Sequence, residues 1–293
     1  MESVILHIAN HFLSIEGDNE SRLLRTMSGF PVFMFDEDVP EPDWRVRCGG
    51  DFVVPTQRTL LYEFDFEEGN YHCEFFRADG VYYFTMNTFV FRYDPSCHNR
   101  IDFAGENPME TSSAPDSTVL RFALWFATSI FLASCKATLI HSSVVVSEGG
   151  AVLFLGESGT GKSTHTRLWL QHIPGARLLN DDSPILAVED GVPVIYGSPW
   201  SGKTHCYHKR QFPLKAVVRL SQAPENRMRR LGNIEAFASL QPSCPPALAY
   251  DDYFSDRVID MISDVIQSVP VYHLACLPNA EAALLSHNTI FGQ

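Results

Sequence analysis

The spacing of apolar and polar positions divides the chain into stretches of different period. Residues 1–105 carry short apolar or alternating runs at 4–8, 31–35, 59–66, 71–76 and 81–91, dense in aromatic and β-branched side chains that suit a pleated, half-buried surface. Glu68-Gly69-Asn70 and Ala78-Asp79-Gly80 punctuate these runs. Both are tight-hairpin signals, because Gly, Asn and Asp tolerate positive φ. A mainly β N-terminal domain over 1–105 is predicted. Residues 106–117 are polar, aperiodic and rich in Pro and Ser, and read as a linker. Asp116 or Ser117 can cap a following helix, 118–136, which is apolar nearly all round and must therefore be buried between layers.

From 138 onward strands alternate with helices. Residues 138–147 and 151–155 read as strands joined by the turn Glu148-Gly149-Gly150. A helical pattern starts at Lys162 and continues through Leu168, Trp169 and Leu170 until Pro174-Gly175 stops it. The segment 177–182 ends a short apolar stretch. Strands are expected at 184–188, 192–196, 215–220 and 270–275, and helical periodicity covers 247–268 and 279–290. The expected fold is α/β, α+β overall: the β domain 1–105, the linker 106–117, and an α/β domain over 118–293.

Between the 151–155 strand and its helix lies Gly156-Glu157-Ser158-Gly159-Thr160-Gly161-Lys162-Ser163, which fits G-x-x-x-x-G-K-[ST] at every fixed position and in the strand–loop–helix context that the motif needs. The glycines let the backbone approach a ligand closely, and amides at a helix N-terminus favour anions. These eight residues with Thr164 form the expected nucleotide-binding set, with Lys162 reaching the β- and γ-phosphates and Ser163 holding Mg2+. About twenty residues past the lysine come Asp181 and Asp182. One carboxylate is needed for the metal and a second can take the proton of an attacking hydroxyl. Mutual repulsion is expected to raise the pKa of one and strengthen it as a base. The spacing leaves open which does which.

Other candidates are weaker. His141 precedes a strand that should pair beside the loop strand, which brings it near a γ-phosphate; a lone strand histidine is more often structural. Lys203 ends the turn-rich run Gly197-Ser198-Pro199-Trp200-Ser201-Gly202 and could clamp a phosphate or acidic substrate; a surface lysine is the plain alternative. Arg227 and Arg230, with Arg229, could supply a cation, although a charge run is usually a solvated face. His205, Cys206 and His208 lack a fourth metal ligand.

Net charge of −13 argues against nucleic acid or an anionic membrane as main partner. Seven scattered cysteines without a C-x-x-C pair suit reduced thiols, hence a cytoplasmic location. No basic leader precedes the apolar runs, and the stretch 119–133 is interrupted by Arg121 and short for a bilayer.

The ordered set His141-Ser-Ser-Val-Val-Val, Gly-Glu-Ser-Gly-Thr-Gly-Lys-Ser-Thr, Leu-Asn-Asp181-Asp182 and Gly-Ser-Pro-Trp-Ser-Gly-Lys203 resembles the HPr kinase/phosphorylase and phosphoenolpyruvate carboxykinase-like group over roughly 137–280. The resemblance implies a mixed-sheet nucleotide-binding core behind a separate N-terminal domain, ATP with Mg2+, and phosphoryl transfer to a hydroxyl. It implies that Lys162 contacts phosphate, Ser163 and Asp181 bind the metal, the aspartate pair supplies the base, and His141 lies near the transferred group. Thr164 stands where HPr kinases carry an acidic residue, and no Glu-Ile-Arg-Gly-Leu-Gly type signature follows Gly202. The function expected is therefore an ATP- and Mg2+-dependent kinase acting on a hydroxyl of a small molecule, peptide or protein serine. A non-catalytic nucleotide-binding regulator and a phosphorylase or carboxykinase-type enzyme are its rivals. A homo-oligomer is left open.

Overall fold

The structure, a computed structural model, describes residues 2–37, 41–49, 52–66, 71–87, 89–97, 99–105, 117–202 and 204–292. The predicted linker except for Ser117, the turn Glu68-Gly69-Asn70 and Lys203 lie outside the described residues. The fold is mixed α/β with two mixed sheets, in two compact units: Met1–Phe131 with Ala247–Asp252, and Leu132–Pro246 with Tyr253–Gln293.

The first unit contains β1 (Ser3–Ile8), β2 (His11–Glu16), α1 (Asp18–Thr26), α2 (Phe30–Phe33), β3 (Trp44–Cys48), β4 (Thr59–Phe66), β5 (Tyr71–Ala78), β6 (Val81–Met86), β7 (Phe89–Tyr93), β8 (Arg100–Gly105) and most of α3 (Ser117–Ser134). Its sheet runs β1-β2-β3-β8-β7-β6-β5-β4, with β3 parallel to both neighbours and the remaining pairs antiparallel. The Asp79-Gly80 turn closes β5 on β6 with both residues at positive φ, as predicted. The apolar run at 31–35 does not form the strand its composition suggests. Pro31 in the first helical turn starts α2 instead, which buries Phe30 and Phe33 one turn apart.

The units divide inside α3, not at the polar stretch ahead of it. The reason is packing: α3 is apolar nearly all round, and the rings of Phe122, Phe126 and Phe131 meet aromatic side chains of the first sheet. Phe126 stacks on Phe84 at 4.0 Å and meets Phe75 edge-on at 5.3 Å. Among the described residues α3 is the one helix long and apolar enough to cross a membrane, and most of it is buried within the protein. Truncating this anchor, Phe126→Ala, should destabilise the first unit by about 3–5 kcal/mol. Urea unfolding followed by aromatic fluorescence checks this; a loss under about 1 kcal/mol would show that the ring stack is not what holds the helix.

The second unit contains β9 (Ala137–Leu139), β10 (Ser142–Ser147), β11 (Gly150–Leu155), α4 (Lys162–His172), β12 (Arg177–Asp182), β13 (Ile185–Glu189), β14 (Val192–Tyr196), β15 (Gln211–Gln222), β16 (Arg227–Arg230), α5 (Asn233–Leu240), α6 (Asp252–Ser268), β17 (Val271–Cys276) and α7 (Ala280–Phe291). Its sheet runs β12-β10-β11-β15-β14-β13-β9, and the long β15 also pairs β17, which carries β16 on its outer edge. β11, β15 and β17 are parallel, so their carboxyl ends, where ligands collect in such sheets, lie together. Every residue of β10 and β11 is buried, which explains the unbroken apolar run of β11 and the three valines at the centre of β10. Phe154, Trp169, Val218 and Leu274 belong to one core between these strands, α4 and α7.

One predicted strand proves to be two. Residues 138–147 break at Ile140-His141, where the chain leaves β13, the partner of β9, and β10 joins β11 and β12. The freed amides are satisfied locally: Ile140 N–H donates to the Pro184 carbonyl at 3.1 Å and His141 N–H to Ser243 at 2.7 Å.

Candidate functional site

β11 delivers the 156–163 loop to the start of α4, as the sequence pattern requires. Gly161 holds φ of 103° as the helix N-cap, a conformation closed to most side chains. The half-buried Lys162 folds back over the loop. Its Nζ donates to the Gly156 carbonyl at 2.6 Å and to His141 Nε2 at 3.1 Å. Burial lowers the Lys162 pKa, and the facing charges of Asp182 and Asp181 oppose that shift.

The two aspartates close β12, and because strand side chains alternate they enter different surroundings. Asp181 lies opposite Ser143 in the β10–β12 register. Its Oδ1 accepts from Ser143 Oγ at 2.5 Å and from Ser163 Oγ, in the first turn of α4, at 3.3 Å. Asp182 turns the other way: its Oδ1 lies 3.3 Å from His141 Nδ1, and its Oδ2 accepts from Ser183 Oγ at 2.9 Å. The expectation that adjacency raises one pKa is overturned for Asp182. Burial would push it up, but the hydrogen bond from His141, with that from Ser183 and the charge of Lys162, holds it below the usual carboxylate value.

Lys162, His141 and Asp182 thus form a chain. A charged ammonium has only donors, so His141 Nε2 accepts from Lys162 and Nδ1–H donates to Asp182, which fixes the tautomer of a neutral ring.

Two contributors are not among the residues that the sequence singles out. Ser143 follows Ser142 at the start of β10 and is identified by its register opposite Asp181. Asn180 is fully buried: its Oδ1 accepts from the amides of Asp182 and Ser183 at 3.1 and 3.0 Å, and its Nδ2 donates to the Trp200 carbonyl at 2.9 Å. It fixes both the aspartate corner and the Ser198–Trp200 turn, and the Asn-Asp-Asp-Ser-Pro order was a readable turn signal. Gly202 N–H donates to the Asp181 carbonyl at 2.9 Å, and a Cβ there would stand 2.8 Å from that oxygen. Lys203, next in the chain, lies outside the described residues.

A cavity of about 510 Å³ is lined by the loop, Lys162, Ser163, Thr164, Asp181, Asp182, His141, Ser143 and Gly202. The structure therefore brings together the predicted loop, lysine, serine, aspartates and histidine. It does not bring Arg227 or Arg230 into this lining; both are exposed on the edge strand β16, and Arg229 between them is paired with Glu235. Arg219 on β15 stands nearer, 3.6 Å from Glu157. His205, Cys206 and His208 form no metal-ligand cluster among the described residues. A second cavity of about 680 Å³ shares Gly159, Gly161 and Thr164 with the first and opens at the ends of β15 and β17, where Leu168, Gln222, Leu277 and Pro278 help line it.

The donor set suits Mg2+: Ser163 Oγ and a buried carboxylate oxygen of Asp181 are hard oxygens 3.3 Å apart on one side of the cavity.

No family model matches the chain, and no curated protein matches its sequence. Among solved structures it is similar to the Hpr(Ser) kinase/phosphatase from Coxiella burnetii, at 13% identity and a TM-score of 0.30, over 53% of this chain and 94% of that one. A likeness of that size assigns no function.

Replacing His141 with Ala removes the leading influences that lower the Asp182 pKa, so that carboxyl should titrate at higher pH in His141→Ala. Carboxyl-detected NMR titration checks the direction. Because the folded-state pKa of Asp182 is depressed, its contribution to stability is complete above the ordinary carboxylate range and is lost as pH falls through the folded value. The variant should therefore lose stability less steeply on acidification than the wild type.

Proposed function

We propose that the second unit is an ATP- and Mg2+-dependent phosphotransferase acting on a hydroxyl group. One observation carries this reading: a single 510 Å³ cavity combines the 156–163 loop and its lysine with two aspartates held in separate environments. Loop amides and the α4 N-terminus are suited to the β- and γ-phosphates. Lys162 exchanges the Gly156 carbonyl for a phosphate oxygen. Ser163 and Asp181 hold Mg2+, which when bound neutralises charge on the triphosphate. The adjoining 680 Å³ cavity, with Leu168, Leu220, Leu277 and Pro278 beside Thr164 and Gln222, is suited to the nucleoside.

The aspartates then take different roles. Asp181, shared by two serine hydroxyls next to the helix start, serves the metal. Asp182 serves as the base. It takes the proton of the acceptor hydroxyl while that oxygen bonds to the γ-phosphorus, and the bond from phosphorus to the bridging oxygen breaks with its electron pair leaving on ADP. Asp182, with its pKa below the usual carboxylate value, is ionised at neutral pH, and its role as base rests on its position in the cavity rather than on raised basicity. His141 positions Asp182 and links it to Lys162. The acceptor is a hydroxyl-bearing small molecule, peptide or protein serine.

The test is transfer of labelled γ-phosphate from ATP to pools of hydroxyl metabolites and peptides. Asp182→Asn should bind nucleotide nearly as the wild type does and lose transfer by about 10²–10⁴-fold. Asp181→Asn should raise the Mg2+ concentration needed by about tenfold or more. Lys162→Ala should weaken ATP binding itself. Tight ATP binding with no transfer to any acceptor would sink the kinase reading and leave a nucleotide-responsive regulator.

A further inference from the structure

A third cavity of the second unit lies at the opposite end of the β10–β11 hairpin from the loop. It measures about 450 Å³ and is lined by the Glu148-Gly149 turn, by Gly175, Arg177 and Leu178 where β12 begins, and by His208, Arg210 and Phe212 where the chain enters β15. Arg177 and Arg210 are exposed, and among the described residues neither guanidinium has a hydrogen-bond or ion-pair partner. The one acidic side chain of the lining, Glu148, is 3.4 Å from His287. Two unpaired arginines and a histidine thus share a concave site in a chain whose net charge is −13. Arginine left unpaired in a cavity is suited to bidentate recognition of phosphate or carboxylate oxygens.

We propose that this cavity binds a compact polyanion, a phosphate ester or a polycarboxylate, held by Arg177 and Arg210. The volume is in the range of small-ligand sites. The site is separate from the aspartate cavity but joined to it twice. β12 carries Arg177 at one end and Asp181-Asp182 at the other. The second link is the 197–210 segment. Gly197 N–H donates to the Arg210 carbonyl at 3.0 Å, Gly202 N–H to Asp181 at 2.9 Å, and the Cys206 thiol to the Leu178 carbonyl at 3.6 Å. An anion that draws β12 and the start of β15 together therefore acts on the backbone that seats both aspartates. The binding proposal stands whether or not the phosphotransfer reading does.

The experiment is amide NMR of the full chain titrated separately with inorganic phosphate and with citrate, for the wild type and for Arg177→Gln/Arg210→Gln. Both substitutions are at exposed positions, and a thermal melt checks that the fold is kept. In the wild type, amides of 147–149 and 177–179 should shift and saturate with a Kd on the order of 1 mM, and the double variant should bind about tenfold or more weakly. Phosphate also meets the 156–163 loop, whose own shifts should survive in the double variant, so the two sites are read apart. Saturation by phosphate alone identifies a phosphate-ester site, and saturation by citrate alone a polycarboxylate site; either supports the proposal. Cavity amides that move with neither anion, or that move equally in the double variant, overturn it.

Discussion

One oxygen, Oδ1 of Asp181, holds the site together. It accepts from Ser143 on β10 and from Ser163 at the start of α4, so a single buried carboxylate ties the edge strand, its neighbour and the loop helix. A buried charge needs such donors, since desolvation without them costs several kcal/mol. The tie also fixes register. A one-residue slip of β12 against β10 would turn Asp182 toward the serines and Asp181 toward His141, reversing every contact of the pair.

The other half of the site balances charge along a chain of three groups. Burial works against the charged forms of both Lys162 and Asp182, and each is kept in place by what lies between and around them. His141 serves both, accepting from one and donating to the other. It can do so only because the chain breaks at Ile140-His141, where the long apolar run changes sheet partners. A topological feature of the sheet and an electrostatic feature of the site therefore have a common origin.

Asn180 and Gly202 show how the surroundings support the pair. Asn180 replaces missing backbone partners where β12 ends and the chain turns, and Gly202 lets a distant segment lie against the Asp181 carbonyl where a side chain would not fit. Both hold a corner whose two carboxylates must face different ways.

Much of this was legible in the chain itself. The glycine-rich loop announces its strand, turn and helix because positive φ, a helix start and an apolar strand each restrict local residue choice. The Asp-Gly and Glu-Gly turns and the paired aspartates are visible for the same reason. What the sequence could not decide was whatever depends on partners far along the chain. It did not reveal that Pro31 opens a short helix in an apolar run, that α3 belongs largely to the first unit, or that Ser143 among valines faces Asp181. Nor did it sort the aspartates, since adjacency alone argued for repulsion, whereas strand alternation sent them to opposite faces. Local propensity follows from the few residues around a position; register, burial and the pKa of a carboxylate follow from contacts that exist only once the sheet has formed.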